Sequence, residues 1–153
     1  MKIFFPKELD NELRTSIVPS VVQKFISLEL EVFVEKGIGK AMSLSDDVYL
    51  EAGAKIIKNR VDAFSIADIV CRLNVPNIEE IKHLMNNSIH ISFLDPFNQN
   101  ELINAFTKQS VTAISMEMIP RVTRAQKMDA LSSQASLAGY GAVIEAAEKL
   151  NKV

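Results

Sequence analysis

The sequence predicts an α/β domain: a mostly parallel sheet flanked by helices, closed by a long final helix. Three observations carry this. Short apolar runs alternate with segments of helical periodicity along the whole chain. Turn-forming residues mark the joints, among them Gly37, Gly39, Gly53, Pro76, Pro96 and Pro120. The length, 153 residues, suits one core that needs no disulfide staples.

Taken in order, Lys2 to Phe5 reads as a first strand. Pro19 then opens a helix over 20–28, with Val21, Val22, Phe25 and Ile26 on one face. A second strand over 30–34 ends in the turn Gly37-Ile38-Gly39. Ser45 caps a short helix over 46–52, and Gly53 stops it. Residues 55–57 form a short strand, and 68–73 form another, stopped by Asn74 and Pro76. Asn77 caps a helix over 78–85, and a strand over 89–94 closes at Asp95-Pro96. A helix over 98–109 and a strand over 111–116 follow. Pro120 breaks the path before a last helix over 125–150. In such sheets ligands sit at the carboxyl ends of the strands, where Pro6-Lys7-Glu8, Asn74, Asp95 and Arg121 are expected to gather.

Composition removes several function classes. A net charge of -2 leaves no footprint for nucleic acid and no polybasic membrane patch. No apolar stretch approaches the roughly 18–20 residues needed to span a bilayer, so no direct membrane insertion is expected. Cys71 is the only cysteine and lies in the apolar run Ile69-Val70-Cys71, so it reads as a small buried hydrophobe. Gly37-x-Gly39 lacks the rest of a dinucleotide-binding glycine pattern and reads as a turn. There is no phosphate loop and no metal-ligand spacing, and His83 and His90 stand isolated.

The most loaded segment lies late in the chain. Ile119-Pro120-Arg121-Val122-Thr123-Arg124-Ala125-Gln126, continuing to Asp129-Ala130-Leu131-Ser132-Ser133, puts arginines, a glutamine, an aspartate and serines at a loop-to-helix junction. A plain surface helix has no need of that set. With Ala138-Gly139-Tyr140 and Ile144-Glu145-Ala146-Ala147, the run resembles the alpha subunit of proton-translocating NAD(P) transhydrogenases. Pro6-Lys7-Glu8 and Asn11-Glu12-x-Arg14 resemble the opening shared by transhydrogenases and alanine dehydrogenases. Val34-Glu35-x-Gly37-x-Gly39, Gly53-Ala54, Asn74-x-Pro76 and Gln99-Asn100-x-Leu102 continue the likeness in order.

The resemblance implies a flavodoxin-like, formate/glycerate-dehydrogenase-type catalytic-domain fold. It implies an alanine dehydrogenase/transhydrogenase-like domain over 1–124 and a long linking helix over 125–153. It also implies direct hydride transfer between NAD(H) and NADP(H), coupled to proton movement by a membrane partner. Such chemistry needs two nicotinamide rings held in contact rather than a nucleophile or a metal. Arg121, Gln126, Asp129 and Ser132 are the implied NAD(H)-contacting residues. Arg121 donates to a carboxamide oxygen, Asp129 accepts from its NH2 or orients Arg121, and Ser132 does either. Gln126 bridges toward the second nucleotide's ribose. Alanine dehydrogenases carry a substrate-binding lysine near the segment 72–76 and a histidine after the strand over 89–94. Here Asn74, Val75 and Leu94-Asp95-Pro96 stand there instead, which favours the transhydrogenase branch.

The sequence as read stops at Val153, before the Rossmann domain that such subunits carry. Weak NAD affinity and no activity for this chain alone are therefore expected. The expected partners are a Rossmann-type NAD-binding domain and the membrane and NADP-binding transhydrogenase subunits. The expected location is cytoplasmic, peripheral at the inner face of the membrane through those partners. Leu137, Val143 and Leu150 give the last helix an apolar face that invites a homodimer. Gly141 stands where the family often has an arginine, which keeps a second reading open: a non-catalytic, dimerising remnant.

Overall fold

The computed structural model describes residues 1–9 and 12–150. Asn11 of the opening motif and the final Lys152-Val153 lie outside the described residues. Residues Met1–Ser115 make one compact unit, and the chain from Met116 makes a second.

The first unit is built on a six-stranded sheet: β1 (Lys2–Phe5), β2 (Glu31–Glu35), β3 (Lys55–Ile57), β4 (Ile69–Cys71), β5 (Ile89–Ser92) and β6 (Thr112–Ser115). The strand order is β3-β2-β1-β4-β5-β6, and each adjacent pair runs parallel. This is the doubly wound order 3-2-1-4-5-6, the flavodoxin order extended by the edge strand β3, with the order reversing direction between β1 and β4. The helices are α1 (Pro19–Ser27), α2 (Asp46–Glu51), α3 (Arg60–Ile66), α4 (Ile78–Ile81) and α5 (Asn100–Lys108).

Side-chain alternation along the strands builds two cores. Phe4, Phe33 and Val70 point to one face and pack with Phe64, Ile81, Leu102 and Phe106 from α3, α4 and α5. Ile3, Phe5, Val32 and Val34 point to the other face and pack with Val22 and Tyr49 from α1 and α2. The Tyr49 hydroxyl donates to the Ile17 carbonyl at 3.0 Å, so its burial leaves no orphan. Gly37 takes φ +75°, and a β-carbon on Gly39 would meet Leu44 Cβ at 2.7 Å. The Gly37-Ile38-Gly39 segment is thus a tight turn fitted under Leu44 and Tyr49.

Two helices of this unit differ from the sequence expectation. Helix α3 had no counterpart there; the Asn59 side chain caps it by accepting from Val61 N–H at 3.1 Å. The helix expected over 78–85 stops at Ile81. Its start is as foreseen, with Asn77 and Glu80 forming a capping box.

His90 lies in the first core rather than at a surface site. Its Nε2 is 3.1 Å from Ser92 Oγ, and its ring packs on Phe106 with centroids 5.0 Å apart. Burial, reinforced by the charge of Arg72 and opposed by Glu80, pushes its pKa down to about 3. The unfolded chain, titrating near 6.5, then binds a proton that the folded chain refuses. Stability is full above pH 6.5 and falls as the pH drops toward 3, by about 1.4 kcal/mol per unit. Urea unfolding at pH 7 and pH 4.5 should show this loss, and His90→Leu should flatten it.

Candidate functional site

The carboxyl ends of the central strands are tied by a chain of alternating charges. Glu35 accepts from Arg60, whose other arm donates to Glu80 at 2.7 Å. Glu80 also accepts from Arg72 at 2.8 Å, and Arg72 reaches Glu8 at a longer 3.5 Å. Glu8 further accepts from the backbone N–H groups of Leu73, at 2.6 Å, and Asn74, at 3.2 Å. Pro6-Lys7-Glu8 and Asn74 therefore do meet, as buried bracing. Lys7 contributes its backbone, donating N–H to Glu35 and accepting from Arg60. Arg14 pairs with Glu12 at 2.7 Å, and that hydrogen bond holds the Glu12 carboxyl at about 2. Asp95 shapes its own turn, at φ +47°, and accepts from the Asn98 amide. Cys71 is half-buried and its thiol is pushed up to about 11, first by burial and then by the charge of Glu8, so it is no nucleophile at neutral pH.

The second unit carries the loaded run. After Pro120, Thr123–Met128 winds as 3-10 helix, and α6 (Ala130–Lys149) follows. The long helix thus begins at Ala130 rather than Ala125, because Asp129 caps it. The Asp129 carboxylate accepts from Ser132 N–H at 3.0 Å and from the Ser132 hydroxyl at 2.6 Å. These bonds, helped by the charge of Arg121, hold the Asp129 carboxyl below its ordinary range. Ala125 is the buried anchor of the turn.

A cavity of about 300 Å³ opens on this unit, lined by Arg121, Val122, Thr123, Gln126, Asp129 and Ser132. All four residues singled out in the sequence border it. The 3-10 winding puts Thr123 and Gln126, three apart, on one face, and the Asp129 cap ties Ser132 to the same wall. Thr123 was missed because an α-helix starting at 125 left it in a featureless loop. Arg121, Thr123 and Gln126 make no side-chain hydrogen bond or ion pair within the described residues. The wall therefore offers guanidinium donors, an amide and a hydroxyl of both kinds, and an anionic acceptor held by its cap.

Helix α6 buries none of its described residues. Leu137, Tyr140, Val143, Ile144 and Leu150 are exposed, and nothing lies within 4 Å of a β-carbon placed on Gly139 or Gly141. Among the described residues, no helix is long and apolar enough to cross a membrane, and no group of three or more His, Cys, Asp or Glu is set to hold a metal.

The family described as "Alanine dehydrogenase/PNT, N-terminal domain" matches residues 4–138. This chain belongs to that family. Its sequence is 36% identical to the NAD(P) transhydrogenase subunit alpha of Cereibacter sphaeroides, over 99% of this chain and 29% of that one. The solved transhydrogenase of Sinorhizobium meliloti superposes with TM-score 0.91 at 37% identity, over 99% of this chain and 46% of that one. A solved L-alanine dehydrogenase is more distant, with TM-score 0.73 at 28% identity, over 78% of this chain and 33% of that one. The chain spans less than half the length of these relatives. Within the alanine dehydrogenase/PNT family it is closer to these transhydrogenases than to that alanine dehydrogenase.

Proposed function

We propose that this chain is the N-terminal component of an NAD(P) transhydrogenase alpha subunit, and that its loop cavity grips the nicotinamide end of NAD(H). The observation that carries this is the lining of that cavity: Arg121 and Gln126 are uncommitted while Asp129 is fixed by Ser132. The donor set fits a carboxamide. Arg121 donates to the carbonyl oxygen, Asp129 accepts from the NH2, and the lone pairs of Ser132 remain available beside it. Gln126 extends the same face toward a second nucleotide. Bound there, the nicotinamide would supply the chemistry, hydride exchange between NAD(H) and NADP(H). The residues of this chain hold the ring in register and need exchange no proton with it.

The rest of the reading concerns partners. A Rossmann-type domain holds the remainder of NAD(H), an NADP(H)-binding component presents the acceptor, and a membrane subunit couples the transfer to proton movement. The chain then works on the cytoplasmic side, at the membrane surface through those subunits. The exposed Leu137, Tyr140 and Ile144, spaced along one side of α6, support a homodimer through that helix. Deuterium transfer from C4 of labelled NADH to NADP⁺, read by mass spectrometry, tests the reading. The chain alone should transfer none, and adding the NAD- and NADP-binding components should switch transfer on. Transfer by the chain alone, or none in the full mixture, would contradict it. The latter result would favour the non-catalytic, dimerising reading.

A further inference from the structure

Thr123 was not among the residues singled out by sequence, yet it lines the cavity beside Arg121 and Gln126. Its hydroxyl is exposed and makes no hydrogen bond within the described residues. It lies one 3-10 turn before Gln126, at about 6 Å per turn, within the same winding. Asp129 and Ser132, on the same cavity wall, already bond to each other. A carboxamide taken by Asp129 and Arg121 leaves the group on the ring nitrogen to the rest of the wall. That group is a ribose, whose hydroxyls both donate and accept. Thr123 carries the uncommitted hydroxyl of the wall and can do the same.

We propose that Thr123 is a further nucleotide-binding residue, its hydroxyl engaging the ribose attached to the nicotinamide. The inference rests on the reading of the cavity as a nicotinamide site. It assigns a contact that discriminates a nucleotide from a bare ring.

The test is an NMR titration of the full chain with reduced nicotinamide mononucleotide and with its 2′,3′-dideoxy analogue, which tolerates weak binding. Thr123→Val, close in shape but without the hydroxyl, should weaken the mononucleotide about 3- to 10-fold. It should leave the dideoxy analogue unchanged, because the partner group is already missing. Thr123→Ser should restore binding. Thr123 is exposed, so circular dichroism should confirm that each variant keeps its fold. If Thr123→Val weakens both ligands equally, or neither, while Arg121→Ala weakens both, the Thr123 assignment falls and the cavity reading stands. If the unaltered chain binds neither ligand, or Arg121→Ala changes nothing, both fall.

Discussion

Replacing Arg72 by methionine is expected to cost about 3–5 kcal/mol of folding stability, the largest single loss in this chain. The guanidinium is 1% exposed and stands between Glu8, itself 1% exposed, and Glu80. Methionine fills much of the volume but leaves the buried Glu8 without a cation and Glu80 with Arg60 alone. Glu8 retains its two backbone donors, from Leu73 and Asn74, which satisfy its oxygens but carry no full charge. Adding Glu8→Gln to Arg72→Met should recover some of the loss, because one buried charge is then removed. Urea denaturation of the unaltered chain and the single and double variants measures this. A loss below about 1 kcal/mol for Arg72→Met would mean that the network contributes little beyond shape.

Arg121→Ala should be the most damaging change to the cavity and nearly silent for stability. Arg121 is exposed and has no ion-pair partner within the described residues, so the folded unit does not depend on it. A hydrogen bond from a charged donor contributes about 1.5–3 kcal/mol, or roughly 10- to 150-fold in affinity. NADH binding by the chain paired with its NAD-binding partner should weaken by that factor. Arg124→Ala and Lys127→Ala, whose side chains do not line the cavity, should bind as the unaltered chain does. An equal loss in all three would point to general electrostatic attraction rather than a built contact.

The parallel α/β architecture was legible because its signals are local. Short apolar runs, Pro19 before α1 and Asn77 before α4 each carry their own physical reason. Helix α3 was harder. Its cap, Asn59, is followed by Arg60, Val61 and Asp62, and within it only Ala63 and Phe64 are buried, too short a pattern to mark a period. The charge network was invisible in sequence, since Glu8 and Arg72 lie 64 positions apart and meet only when β1 and β4 pair. His90 read as an isolated polar residue, and only the pairing of β4 with β5 and the packing of Phe106 make it a core residue.

The four cavity residues were named from family resemblance, not from periodicity. What sequence could not supply was the winding between them. The last helix was expected from 125, after the break at Pro120. In the structure Asp129 caps a helix starting at Ala130, and the residues before it wind more tightly. That change of pitch, from 3.6 to three residues per turn, brings Thr123 into line with Gln126.

The central claim is that this chain supplies the nicotinamide grip of a shared NAD(H) site. Calorimetry with NADH tests it most directly, on the chain alone and then mixed with a transhydrogenase-type NAD-binding domain. Weak binding by the chain alone, tight binding in the mixture beyond that of the partner domain by itself, and loss of the added affinity with Arg121→Ala are the results predicted. A mixture that binds no better than the partner domain alone would contradict the claim.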